Sequence, residues 1–363
     1  MKAAICREFR APLRLEDVVL APPEADSVLV RIAACAICHS DIIYIDGGWG
    51  GALPTVFGHE ASGIVEQVGP SVSGLAPGDR VVITMVRSCG ECPCCVVGLR
   101  GSCEADFPLS HRSPLTDVSG APIGHGMKTA AFAERTVVHR SQLVKVDNDV
   151  PFGIASLLAC GVITGYGAVM NTARVHPGAD VVVIGTGGVG LNSVQAAALS
   201  GARRVIAVDI ADEKLAAAEQ FGATHRIRAG ADLGRTVREI TSGRGVDFVF
   251  VTVGAKAAID SCLELLAPGG AAVLVGIPAS GVLSNYDPGA LAGASQRILG
   301  SKMGASDIQA DIPRLIELYR AEKLQLDELI SGTFAFEDIN AALDTARGGR
   351  GLRTVVTFGG IAA

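Results

Sequence analysis

The chain carries little charge and no excess of positive charge. Charged residues are 19% of 363, and the formal net charge at pH 7 is −6. That balance argues against a nucleic-acid partner, which needs a basic patch or stripe. No apolar run approaches the roughly 20 residues of a membrane span. The segment Met1 to Glu8 lacks the apolar stretch of a secretory signal peptide. A cytoplasmic location without membrane or nucleic-acid partners is therefore expected. There is no tandem repeat and no low-complexity linker, and the 45 glycines follow no G-X-Y period, which excludes collagen. Apolar residues at 49% argue against disorder. The length allows two domains with full cores.

Cysteine, by contrast, is abundant. Ten cysteines in a chain of cytosolic character point to metal rather than disulfides. Cys89, Cys92, Cys95 and Cys103 read C-x2-C-x2-C-x7-C, in a lobe of about residues 86–105. Four thiolates that close together can surround one zinc ion and leave no open position, so a metal held there is expected to be structural. Cys94 adjoins Cys95 and could replace it, but the x2 register favours Cys95. Cys6, Cys35 and Cys262 lie in apolar segments and read as buried thiols.

A second set of metal-ligating types is scattered along the chain. Cys38-His39-Ser40-Asp41 follows an apolar run, Gly58-His59-Glu60 sits between strand-like segments, and Cys160 stands far downstream. Two thiolates and one imidazole can hold zinc and leave the fourth position for water or substrate. Asp41 is a natural partner for the imidazole N–H of His59. Spacing alone cannot assemble ligands more than a hundred residues apart. A lone Cys160 reads equally as a small core residue.

Two kinds of periodicity divide the chain. Up to about residue 150, short β patterns alternate with Gly, Pro and Asp, as in a barrel-like β domain. From about 153 to 298, apolar strands alternate with helical stretches, the mark of a parallel, doubly wound sheet. Domains of 1–152 with 299–363, and of 153–298, are expected. The last strand, near Arg353 to Phe358, is expected to return to the first domain. Gly185, Gly187 and Gly190 form G-x-G-x-x-G, with Gly188 and Val189 inside it, directly after a strand and before a helix. In that context the glycines provide a turn, a close approach for a pyrophosphate and tight helix–strand packing. The helix N-terminus adds free N–H groups. Asp209 ends the next strand, nineteen residues past Gly190, where a carboxylate binds ribose hydroxyls and repels a 2′-phosphate. NAD is favoured over NADP.

In these pieces, and in their order over nearly the whole length, the chain resembles the zinc-containing medium-chain alcohol dehydrogenase family. Cys160-Gly-Val-Ile-Thr-Gly-Tyr-Gly167 and Leu352-Arg-Thr-Val-Val-Thr-Phe358 add to the match. The resemblance implies an α/β architecture: a GroES-like, β-rich catalytic domain built from both chain ends, with a Rossmann domain inserted. It implies catalytic zinc on Cys38, His59 and Cys160 with Glu60 beside it, a second, structural zinc, and NAD as cofactor. Alcohol dehydrogenase is itself the standard example of a two-cysteine, one-histidine catalytic zinc. By the same resemblance Ser40 bonds the alcohol oxygen, and His39 and Arg353 touch the cofactor pyrophosphate. Thr164 and Val189 pack the nicotinamide, and Lys214 joins Asp209 at the cofactor. A homodimer is expected.

Departures from the family narrow the substrate. Ile43 stands where many members carry the histidine that ends the proton relay. Phe107 replaces an arginine of the glutathione-dependent formaldehyde branch, and Trp49 and Gly51 replace its acidic residues. An apolar wall of Trp49, Met85 and Phe107 suggests a hydrophobic primary alcohol, aromatic or of medium chain length. S-(hydroxymethyl)glutathione oxidation and a non-enzymatic structural role are the alternatives.

Overall fold

In the computed structural model, residues 1–349 and 351–359 are described. Two compact units emerge: Met1–Gly161 together with the chain from Asp307 onward, and Val162–Ser306. The junctions thus fall later than the expected 152/153 and 298/299. The helix Phe152–Leu157 packs on strands Ser27–Ala36 and Glu60–Val68, so it stays with the first unit. The turn Met303–Ala305 packs on the helical segment Ile163–Gly167, so it stays with the second.

The first unit is built around strand Ser27–Ala36, whose apolar residues are nearly all buried. It pairs antiparallel with Glu60–Val68, Arg135–His139 and Arg353–Thr357. The C-terminal strand does return here, as the sequence suggests. A small closed barrel of Lys2–Cys6, Arg14–Leu20, Leu115–Asp117, Pro122–His125 and Thr55–Val56 lies in the same unit. Ile5, Ile32, Ile83, Leu115 and Phe132 belong to its apolar cluster. Each such side chain, fully buried, contributes about 1.5–3 kcal/mol. Register matters most for function. Ala36 lies opposite both Glu60 and Val355. The chain leaving one strand toward Cys38, the entry to the next at His59, and Arg353 are therefore delivered to one end of the sheet.

The second unit is a six-stranded, wholly parallel sheet. Numbered along the chain, its strands Asp180–Ile184, Arg204–Asp209, His225–Arg228, Val246–Val251, Leu266–Leu274 and Arg297–Gly300 lie in the order third, second, first, fourth, fifth, sixth. This is the doubly wound dinucleotide-binding order, whose reversal falls beside the first strand. All five residues of Asp180–Ile184 are buried, as a central parallel strand covered on both faces requires.

One helical stretch corrects the sequence reading. Phe152–Ala173 runs 22 residues and is long and apolar enough to cross a membrane by length and composition, and 94% of its most apolar window is buried. Its Phe, Ile, Leu, Val and Ala side chains raise the hydropathy, but they are packed inside the protein, as in the core helix of a globular fold. Two π turns, Leu158–Val162 and Ala168–Ala173, interrupt it, and Cys160 sits in the first.

Candidate metal centres and dinucleotide loop

The four lobe cysteines converge. Ligand atoms of Cys89, Cys92, Cys95 and Cys103 lie within 4.8 Å of one another. The backbone N–H groups of Glu91 and Cys92 donate to the Cys89 sulfur at 3.5 and 3.3 Å, and that of Cys89 donates to Cys103 at 3.3 Å. Such donors favour thiolates. A backbone bond at Glu104 is the main reason that Cys92 is pushed down to about 6, whereas burial pushes Cys95 up to about 12. Without a cation the four sulfurs cannot all carry charge at this range; a dication removes the conflict. The lobe fits a closed zinc site. Cys94 turns its sulfur to Glu104 Oε1 at 3.5 Å, away from the cluster.

Cys38, His59, Glu60 and Cys160 form the second group, again with ligand atoms within 4.8 Å and with all four residues buried. Asp41 organises it. One carboxylate oxygen accepts from the Cys38 N–H at 3.2 Å; the other accepts from the Gly58 N–H at 3.1 Å and meets His59 Nδ1 at 2.9 Å. Asp41 is fully buried, and its oxygen at Nδ1 favours the tautomer with the proton there, so that the neutral ring offers the Nε2 lone pair to a metal. That Nε2 is buried with no hydrogen-bond partner, the orphaned acceptor that a metal satisfies. Gly58 has φ +90°, and a Cβ there would lie 2.6 Å from the Phe132 backbone nitrogen. Only glycine lets the chain turn His59 inward at that point.

Electrostatics at this cluster also fit a cation. A hydrogen bond from Cys160, with support from His59, holds the Cys38 thiol well below its ordinary value against the effect of burial; the same bond and burial push Cys160 up. Burial opposes a charge on His59, but Asp41 and Cys38 outweigh it and raise the imidazole. Cys38 thus carries negative charge more readily than a free thiol, as a ligand to a cation does.

Glu60 has a second partner that the sequence did not reveal. Arg353, expected at a cofactor pyrophosphate, pairs with the Glu60 carboxylate, and both side chains are buried. Burial outweighs the guanidinium and pushes Glu60 up to about 7. Gly161 makes room: a Cβ there would come within 3.0 Å of Arg353 Nη1. Removing one partner of a buried pair leaves the other uncompensated, which costs about 3–5 kcal/mol. Arg353→Ala is therefore expected to destabilise the protein strongly, and Glu60→Gln with Arg353→Ala by less than the sum of the single changes. A double-mutant cycle in denaturant unfolding checks this; strict additivity would count against the pair.

In the second unit, Gly185 has φ +90°, and a Cβ on Gly190 would lie 1.7 Å from the Gly185 carbonyl oxygen. Above Gly187, the N-cap of helix Gly188–Leu199, nothing lies within 4 Å of an added Cβ. The loop offers open space before a twelve-residue helix, which fits a dinucleotide pyrophosphate. Asp209 lies beneath it. Thr164 and Val189 sit on neighbouring helices, since a Cβ on Gly165 would touch the Val189 carbonyl oxygen at 2.2 Å. Lys214 is half-buried on helix Asp212–Gln220.

The remaining expected residues are less uniform. His39 is exposed and Ser40 half-buried in the first turn of helix His39–Ile45. Met85 is half-buried, and Trp49 stands edge-on to Tyr44 with ring centroids 5.0 Å apart. Phe107 is packed as core: it is buried, edge-on to His139 at 4.9 Å, with the Arg87 guanidinium 5.3 Å from its ring centre.

The family model for the alcohol dehydrogenase GroES-like domain matches residues 24–148, and that for zinc-binding dehydrogenase matches 188–321. Alcohol dehydrogenase B of Mycobacterium tuberculosis is 36% identical over 98% of each chain. The chain belongs to the zinc-binding alcohol dehydrogenase family. It is similar in structure to an alcohol dehydrogenase zinc-binding domain protein from Burkholderia ambifaria, with TM-score 0.92 and 34% identity over 98% of each chain. It is also similar to benzyl alcohol dehydrogenase from Acinetobacter calcoaceticus, with TM-score 0.91 and 33% identity over 98% of this chain and 99% of that one. As a member of this family the protein is an oxidoreductase.

A buried polar cluster beside the lobe of this dehydrogenase has no signal in the sequence. The Arg87 guanidinium is bonded to Gln142 Oε1 at 2.9 Å and to Ser110 Oγ at 3.2 Å. Burial, then Arg87, pushes His125 down to about 3 and His139 down to about 4. The Ser141 N–H donates to His139 Nδ1 at 3.2 Å, as a neutral ring allows. Both rings protonate near pH ~6.5 in the unfolded chain but stay neutral when folded. Their contribution to stability is present above that pH and is lost as pH falls toward the folded values, because the unfolded state binds the extra protons. The melting temperature is expected to fall between pH 7 and 5, and less steeply in His125→Gln. Parallel curves for the two proteins would exclude His125 as a cause.

Proposed function

We propose that the protein is an NAD-dependent zinc alcohol dehydrogenase that oxidises hydrophobic primary alcohols, aromatic or of medium chain length, reversibly to aldehydes. The observation that carries this reading is the buried Cys38–His59–Cys160 set, with an imidazole nitrogen oriented by Asp41 and left without a partner. Two zinc ions per chain are proposed: one held by these three side chains with Glu60 beside it, the other by the lobe cysteines. Zinc at the first site supplies Lewis-acid stabilisation of negative charge on an alcohol oxygen. Bound NAD supplies the hydride acceptor.

The chain's own groups do the rest. Asp41 fixes the ring of His59 and raises its basicity as a ligand. Ser40 takes the alcohol proton at its Oγ. Ile43 offers no basic atom to receive that proton next, so water is the onward acceptor. The Gly185–Gly190 loop and the helix behind it bind the pyrophosphate through backbone N–H groups, with His39 and Lys214 as further polar groups near the cofactor. Trp49 and Met85 supply apolar surface for the substrate. The similarity to a benzyl alcohol dehydrogenase supports an aromatic substrate.

A homodimer in the cytoplasm completes the reading. Strand Arg297–Gly300 is the last in its sheet, and Leu283, Tyr286 and Ile298 are 79, 54 and 39% exposed. A sheet edge with no further strand among the described residues, and exposed apolar side chains in the same unit, suit a second copy.

The test is a panel of alcohols and aldehydes with NAD(H) and NADP(H), read by the absorbance of the reduced nicotinamide. Benzyl and medium-chain alcohols should head the panel. Turnover of S-(hydroxymethyl)glutathione alone would favour the glutathione reading, and no turnover at all a non-enzymatic one. Asp209→Ala is expected to weaken NAD about tenfold and to relax the preference over NADP. Equal kcat/KM for the two cofactors in the unmodified enzyme would contradict the assignment of Asp209.

A further inference from the structure

Asp209 does not stand free at the end of its strand. Its Oδ2 accepts two hydrogen bonds from one residue, Thr186: from the backbone N–H at 2.7 Å and from the side-chain hydroxyl at 3.1 Å. Its Oδ1 accepts from the Ala211 N–H at 3.0 Å. Thr186 is fully buried, and Asp209 is 9% exposed. Thr186 is the second residue of the glycine-rich loop, a position that the glycine pattern leaves unspecified. Any residue but proline can supply the N–H there, but only one with a side-chain donor can supply the second bond.

We infer that Thr186 is the positioning residue that sets cofactor preference, by locking the Asp209 carboxylate in one orientation; the inference rests on the NAD reading above. A carboxylate offers about four acceptor sites. Three are taken, so the one left for a ligand lies on Oδ1. A ribose hydroxyl can donate to it. A 2′-phosphate has no proton to give and meets a negative charge that three bonds prevent from turning away. The carboxylate torsion of aspartate is otherwise broad, so an untethered Asp209 can swing aside and admit the phosphate. Bonds to an ionised group are roughly twice as strong as neutral ones, which makes the hydroxyl an effective tether.

The experiment is calorimetric binding of ADP-ribose and of its 2′-phosphate to the unmodified zinc-loaded protein, Thr186→Val and Thr186→Ser, with melting curves for each. The unmodified protein and Thr186→Ser should prefer ADP-ribose. In Thr186→Val, which keeps the N–H and the side-chain shape, the preference should shrink about tenfold, mainly through tighter binding of the 2′-phosphate. A preference unchanged in Thr186→Val, with both ligands weakened equally or not at all, would overturn the role of Thr186 and leave the NAD reading intact. A preference of the unmodified protein for the 2′-phosphate would instead defeat the NAD reading, and the inference with it.

Discussion

Cys38→Ser is expected to reduce kcat/KM for alcohol oxidation by about a thousandfold or more, because Lewis-acid stabilisation is worth several kcal/mol. The fold should survive. Cys38 is the residue just before helix His39–Ile45, and the Asp41 carboxylate bonds to its backbone N–H, not to its sulfur. Serine keeps that bond and nearly the same volume. The dinucleotide loop lies in the other compact unit, so calorimetric affinity for ADP-ribose should remain within about twofold. Zinc content should fall by one ion per chain. Retained turnover in protein lacking that ion would refute the metal assignment.

Cys103→Ser should act on stability instead. A structural zinc contributes folding free energy directly, since the unfolded chain has no preformed site. The part of the lobe between its cysteines has little apolar core: Val96, Val97 and Leu99 are 70, 71 and 47% exposed, and the helices there are short. Loss of this ligand is expected to lower the apparent melting temperature by roughly 5–10 °C and to open the lobe to proteolysis. The residual soluble fraction should keep its alcohol KM. A full melting temperature with one zinc lost would mean that the lobe does not depend on its metal.

Much of this site is legible in sequence because its chemistry is local. The four lobe cysteines fall within fifteen residues, and the glycine loop within six. Cys160 is different. Its approach to Cys38 and His59 depends on the pairing of Ala36 with Glu60 and on a π turn in a helix, neither of which leaves a pattern in the chain. The Glu60–Arg353 pair spans 293 residues, and only the addition of the C-terminal strand beside Ala36 creates it. Strands His225–Arg228 and Arg297–Gly300 escape sequence reading for another reason: at the sheet edges they bury few residues, so no apolar run announces them. Phe107 shows the limit of residue type, since an aromatic suited to a substrate wall is equally suited to core packing.

The central claim is most directly tested by following nicotinamide reduction with benzyl alcohol and NAD before and after exhaustive chelation, with zinc counted in each sample. Turnover with two zinc ions per chain, loss of turnover on removal of the metal, and recovery when zinc is returned are expected. Undiminished NAD reduction by protein shown to hold no metal, or none by the two-zinc protein with any alcohol tried, would contradict the claim.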